Sequence, residues 1–191
     1  MKEKEENENL NEIITSTSTL TEEEENAFEF LKELKIQFKI IKFVNKSNIS
    51  RIYHAQNIKE HRNAYLKVIE KKKLENNYEE FMEKIKREEE IIRLCESDNI
   101  INIFQKIETK NYIIFELEYY GKDLSTYIKE KGPLKNKFEK FKYILNEISK
   151  SIKILNIFSI IHRDIKPSNI FIDDEEELIK LGGFGCAIHK E

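Results

Sequence analysis

Three closely spaced runs rich in β-branched and aromatic residues constrain this chain most: QFKIIKFV (37–44), RIYHAQ (51–56) and NAYLKVIE (63–70). Polar turns separate them, and a meander fits such a pattern. A helix over about 77–96 follows, with Tyr78, Phe81, Met82, Ile85, Ile92 and Cys95 as its apolar stripe. Residues 100–107 and 111–118 read as two more strands. After the turn GPL (132–134), a long helix over 135–157 places Phe138, Phe141, Leu145, Ile148, Ile152 and Leu155 in register. Two short strands, IFI and LIKL, joined by the acidic turn DDEEE (173–177), close the order. The expected fold class is α+β: a five-stranded antiparallel part with one helix, then an incomplete helical part.

The 191 residues are 39% hydrophobic and 36% charged, which suits a core beneath a heavily charged surface. Residues 1–25 hold nine Glu and two Lys, so the net charge of −3 leaves the remainder at +4 by difference. Residues 1–20 are polar and aperiodic and are expected to form a disordered acidic tail. TEEE (21–24) is a capping-box pattern with Thr21 as N-cap, and Ala27, Phe28, Leu31 and Leu34 follow at helical spacing. An N-terminal helix is therefore expected within 21–36. No apolar run suits a secretory signal or the ~18 residues of a membrane span. Cys95 and Cys186 stand in no metal or redox spacing. Reduced thiols and a cytoplasmic or nuclear location are expected.

Glu88 lies on the apolar stripe of the first long helix, three residues past Ile85 and four before Ile92. A carboxylate there either sits at the stripe's edge in water or meets a cation. The segment HRDIKPSN (162–169) concentrates charge and hydrogen-bonding groups, and KLGGFG (180–185) follows it.

On these residues the chain resembles the eukaryotic protein kinases, from about Phe38 to Glu191. HRDIKPSN resembles their catalytic loop. The resemblance implies a two-lobed fold: a small lobe over 37–120 and a partial large lobe over 121–191, opening at GKDL. It implies ATP and magnesium as cofactors. Asp164 would accept the substrate hydroxyl proton, Lys166 would neutralise the transferring phosphoryl group, and Asn169 would offer an oxygen to the metal. Lys166, two residues after Asp164, resembles the Ser/Thr-specific branch. Lys67 would touch the phosphates and pair with Glu88. Glu118, Tyr119, Asp123, Ser47 and Ser50 complete the implied nucleotide site.

The sequence departs from the family's pattern in three places. Asn45, Ser47 and Ser50 stand where the phosphate-covering loop carries glycines. Tyr65 replaces an alanine; it either shares the Lys67 side, the roof of the implied adenine pocket, or is turned away by a local bulge. Gly183 replaces the metal-binding aspartate that precedes Phe-Gly, and Asp173 and Asp174, in the hairpin turn, are poorly placed to stand in. Phe184, His162, Ile92 and Ile103 match the family's hydrophobic spine. The chain also stops six residues past Gly185, before the activation segment and the Ala-Pro-Glu motif. The resemblance thus implies a truncated, pseudokinase-like module that binds a protein substrate or a regulatory protein. Neither nucleic acid nor membrane is expected as a partner. A second chain could cover apolar surface left on the 135–157 helix. An active Ser/Thr kinase and a fragment without a stable fold are the alternatives.

Overall fold

The computed structural model describes residues 29–34, 37–134, 137–173 and 178–190. The acidic tail, Thr21, Ala27, Phe28 and residues 174–177, with Asp174 among them, lie outside that set. The chain divides into two compact units.

The first unit contains the residues up to Asn77 together with Phe104–Tyr119. It is built on a five-stranded antiparallel sheet of order β1-β2-β3-β5-β4. The strands are β1 (Phe38–Lys46), β2 (Ser50–Asn57), β3 (Arg62–Glu70), β4 (Ile103–Glu108) and β5 (Tyr112–Glu118). The period of two decides which side chains meet. Tyr53 and Ala55 from β2, Leu66 and Val68 from β3, and Ile114 from β5 are buried on one face. A helical segment at 29–33 closes that face with Phe30 and Leu31, and Leu34 follows in the adjoining turn. The Phe30 ring lies 5.3 Å from that of Tyr53. Lys67 stands on the opposite face, paired in register with Ile52 and Phe115.

The first face also buries a carboxylate. Glu116, opposite Leu66, is 0% exposed. Arg62 Nη2 lies 2.8 Å from its Oε1, which also accepts from Asn57 Nδ2; Gln105 Nε2 donates to Oε2 at 2.6 Å. The Arg62 guanidinium in turn covers the Phe104 ring at 3.6 Å. Side chains from three other strands thus converge on one carboxylate, and a cation and amides offset the cost of burying it.

The second unit comprises Tyr78–Ile103 and the residues from Tyr120 onward. Its helices are α1 (Tyr78–Leu94), α2 (Leu124–Lys131) and α3 (Phe138–Ile157). Short strands fill the rest: β6 (Lys122–Asp123) pairs with β8 (Ile170–Ile172), β8 with β9 (Ile179–Leu181), and β7 (Ile160–Ile161) with β10 (Ile188–His189). The strand expected over 100–107 divides. Ile101 N–H donates to the Leu181 carbonyl and Leu181 N–H to that of Asn99, while regular β4 begins only at Ile103. On α1, Ile85, Ile91, Ile92 and the following Cys95 are buried, whereas Tyr78 is exposed. Both cysteines are free thiols.

The α3 stripe is corrected. Ile144, Ile148, Ser151 and Leu155 form the buried face with Glu147, leaving Phe138 68% and Leu145 51% exposed, along with Phe141 and Ile152. Both sets obey helical spacing and share Ile148 and Leu155. A small residue decides between them: Ser151 lets the backbone at Asn99 approach, accepts no penalty for its hydroxyl, and donates to the Asn99 carbonyl at 2.9 Å. Asn99 Nδ2 donates to Glu147 Oε2 at 3.0 Å from the same side.

Removing the buried anion isolates an otherwise paired guanidinium. Glu116→Ala should cost about 3 kcal/mol in urea denaturation, whereas Glu80→Ala, which breaks an exposed pair with Lys84 on α1, should change stability by under ~0.5 kcal/mol. Equal losses would show that the Glu116 network contributes nothing beyond a surface pair.

Candidate functional site

The segment 162–169 is held by backbone groups rather than by its exposed charges. His162 is buried, and its ring bridges two peptide units. Asp164 N–H reaches Nδ1 at 3.2 Å, and Nε2 lies 2.9 Å from the Gly182 carbonyl. An N–H can only donate and a carbonyl can only accept, so Nε2 carries the proton and the imidazole is neutral. The ring meets Phe184 edge to face at 4.7 Å. Ile92 and Ile103, grouped with them in the sequence, are buried as well. Arg163 adopts φ +64°, an uncommon conformation for a side chain of its size, and its Nε donates to the Cys186 carbonyl at 2.7 Å. The chain is therefore tied across from 162–164 to 182–186.

Asp164, Lys166 and Asn169 converge. Lys166 Nζ lies 2.8 Å from Asp164 Oδ2. Asn169 Nδ2 donates to the same oxygen at 2.9 Å and to the Asp164 carbonyl at 2.7 Å. The Lys166 ammonium, joined by the Asn169 amide, holds the Asp164 carboxyl below the usual carboxylate range. Asn169 ends a short 3-10 turn (Pro167–Asn169) and leads into β8; Gly183 follows β9. The hairpin register pairs Ile170 with Leu181, which brings Asn169 and Gly183 together. Asp173 lies beyond Ile172, at the hairpin's other end.

Gly183 has φ +77° and ψ 45°, in the left-handed region. A Cβ on it would lie 2.3 Å from Asn169 Cγ and 2.5 Å from its Oδ1. The dihedral angles favour glycine here, and a Cβ would also have to displace the Asn169 side chain. Among the described residues, no three His, Cys, Asp or Glu side chains cluster as a metal-binding group.

The other residues singled out in the sequence divide between the units. In the first, β3 pairs with β2 from Arg62 to Ile69 and with β5 from Ala64 to Glu70 without a skipped residue. Tyr65 therefore shares the Lys67 face; no bulge turns it away. Tyr119, just past β5, stacks on His54 at 4.2 Å, and Glu118 ends β5 opposite Ala64. In the turn between β1 and β2, the Ser47 hydroxyl accepts from Ser50 N–H at 3.1 Å and from Ile49 N–H at 3.4 Å, while the Ser47 and Ser50 hydroxyls meet at 2.9 Å. Asn45 Oδ1 accepts from Lys46 N–H. Amides that a glycine loop would leave open are bonded within the turn itself. In the second unit, Asp123 caps α2: Oδ1 accepts from Thr126 N–H at 3.0 Å and Oδ2 from its hydroxyl at 2.6 Å. Glu88 is half-buried on α1, its Oε2 3.7 Å from where a Cβ on Gly185 would stand.

The roles of Gly183 and His162 can be measured. Gly183→Ala should cost about 1–2 kcal/mol from its dihedral angle alone, and more from the Asn169 contact. Combining it with Asn169→Ala should lose less than the two single changes together; additive losses would disprove the contact. Burial disfavours the His162 imidazolium and puts its pKa below the ordinary 6.5. The unfolded chain then takes up this proton first. The stability owed to a neutral His162 is full above pH 6.5 and declines as pH falls through the lower folded value. His54 shifts in the same direction, so the comparison is with His162→Asn. The stability advantage of the wild-type chain over that variant should shrink from about pH 7.5 to about pH 5.5, and a constant advantage would exclude the neutral bridge.

Comparisons with known proteins agree with this geometry. The pattern of the protein kinase domain matches residues 38–191. The chain is 27% identical over 151 residues to a carbon catabolite-derepressing protein kinase of Candida tropicalis, covering 79% of this chain and 24% of that protein. It is 31% identical over 152 residues to CBL-interacting protein kinase 10 of Oryza sativa subsp. japonica, covering 79% and 32%. It is 28% identical over 156 residues to CBL-interacting serine/threonine-protein kinase 20 of Arabidopsis thaliana, covering 81% and 34%. The chain thus spans about a quarter to a third of the length of these relatives. With the match covering most of its residues, this chain belongs to the protein kinase domain family.

Proposed function

We propose that this chain is a Ser/Thr-type kinase-like module with impaired catalysis, acting by binding or regulation. The observation that carries this is Gly183. Phosphoryl transfer draws several kcal/mol of transition-state stabilisation from a divalent ion bridging the phosphates, and each ~1.4 kcal/mol is tenfold in rate. Position 183 offers the ion no side-chain oxygen, and Asn169 fills the space a side chain there would take. Asp164 is already paired with Lys166, and Asn169 turns its amide nitrogen to Asp164. One carboxamide oxygen is a poor shell for magnesium, which demands near-octahedral oxygen ligands. These residues do not fit the ion in the family's manner.

The alternative is an ATP-dependent Ser/Thr kinase that transfers the γ-phosphate to protein hydroxyls. Its support is the assembled trio of Asp164, Lys166 and Asn169. In either reading Lys67, Ser47, Ser50, Glu118 and Tyr119 are the nucleotide-binding residues of the first unit, and Glu88 and Asp123 those of the second. The turn amides engaged by Ser47 weaken the hold on phosphate. The partner is a protein, substrate or regulator, in the cytoplasm or nucleus; two of the similar proteins are named for an interaction with another protein. The exposed Phe138, Phe141, Leu145 and Ile152 suit a second chain. Among the described residues no helix is long and apolar enough to cross a membrane.

A melting titration of the full chain with ATP, with and without magnesium, together with a phosphate-transfer assay, tests this. We expect a cooperative melt, no magnesium-dependent stabilisation, and no transfer that depends on Asp164. Transfer to serine or threonine that disappears in Asp164→Ala would establish the kinase instead.

A further inference from the structure

We infer that Tyr65, held by a stack with His54 and Tyr119, takes the place of a nucleotide base on the Lys67 face of the sheet and limits nucleotide affinity. This rests on the nucleotide-site reading above, and it names a residue that sets the site's occupancy.

The three rings belong to one unit and one face. His54 on β2 and Tyr65 on β3 are cross-strand partners. Tyr65 stands two residues before Lys67, with unbroken register on both sides. Tyr119 and His54 are nearly parallel, 13° apart at 4.2 Å, as flat rings stack. Tyr65 leans on both, 5.0 Å from Tyr119 and 6.0 Å from His54.

A base would seek the same contacts. Purines bind proteins largely through their faces, which accept any aromatic partner. Here those partners already hold one another. His54 is buried; its Nε2 has no hydrogen-bond partner among the described residues, and the ring is fixed by a hydrogen bond with the Asn63 side chain together with its aromatic neighbours. A base that enters must part Tyr65 from its neighbours. The ring is half-exposed, so its removal opens the face without emptying the core, which lies on the other face around Tyr53 and Leu66.

The test measures ATP binding to the full chain by calorimetry in EDTA, which removes the metal question. Melting curves establish that each variant is folded. Tyr65→Ala should bind ATP about tenfold more tightly than the wild-type chain, the gain expected when a stacked ring is removed from the path of a ligand. Tyr65→Phe, which keeps the ring, should bind like the wild-type chain. Equal binding by wild-type and Tyr65→Ala, or no binding by either, overturns the inference; so does a gain in Tyr65→Phe, which would blame the hydroxyl. Adding Lys67→Met to Tyr65→Ala separates the two readings. Loss of the gained affinity supports both. If the gain survives the loss of Lys67, Tyr65 still controls access, but the kinase-type phosphate site fails.

Discussion

One neutral imidazole holds the 162–169 loop of the second unit to the glycine pair. His162 satisfies the Asp164 amide and the Gly182 carbonyl at once, and its ring packs on Phe184. A phenyl ring there would keep the packing and strand both peptide groups. A charged imidazolium would have two donors and no acceptor for the Asp164 N–H. Burial selects the neutral form, and the neutral form selects the geometry. Arg163, left-handed and bonded to the Cys186 carbonyl, adds a second strap across the same gap. A left-handed arginine is a cost of a kind that persists only where neighbours fix it, and the His162 bridge directly beside it is such a neighbour.

Asp164, Lys166 and Asn169 follow from that frame. The carboxylate is stabilised as an anion by an ammonium and an amide. That makes it a weaker proton acceptor than an isolated aspartate and a better fixed point for hydrogen bonds. Asn169 turns its amide nitrogen inward to Asp164 and leans over Gly183. Gly183 and Asn169 therefore form one unit of packing: the missing side chain at 183 makes room for the carboxamide. An aspartate introduced at 183 would first have to move Asn169 aside, so the local change needed is larger than one residue suggests.

Much of this was legible in the sequence, for identifiable reasons. The strands of the first unit declared themselves because β-branched and aromatic residues cluster between polar turns, and their limits moved by only a few residues. The grouping of Asp164, Lys166, Asn169 and Gly183 followed from a contiguous motif and a short hairpin, where chain connectivity leaves little freedom. Three things were not legible. The buried face of α3 was misread because the helix is apolar on two sides, and a serine that bonds Asn99 outweighs larger residues. The Glu116 network was missed because its members, Asn57, Arg62 and Gln105, come from three other strands. A lone glutamate within the apolar run IIFEL was the available signal. Asn169 beneath Gly183 was missed because rotamers are set by neighbours and leave no trace in spacing.

At Gly183 the demands of the fold can be told apart from those of a metal site. The fold asks of this segment a left-handed residue, a carbonyl for His162 and a ring for the core. Gly183, Gly182 and Phe184 supply these in turn. None of those demands involves a side-chain oxygen at 183. Glycine meets the dihedral demand better than aspartate does, since it pays no Cβ penalty there. A glycine at 183 therefore meets what the fold asks of the position without a side chain. On the first unit the reasoning is parallel. Tyr65 in place of a small residue adds ring contacts to His54 and Tyr119 and so gains packing on the Lys67 face. At both positions the chain's own packing accommodates the departure from the family pattern: a left-handed glycine in one case, a ring held by two others in the other.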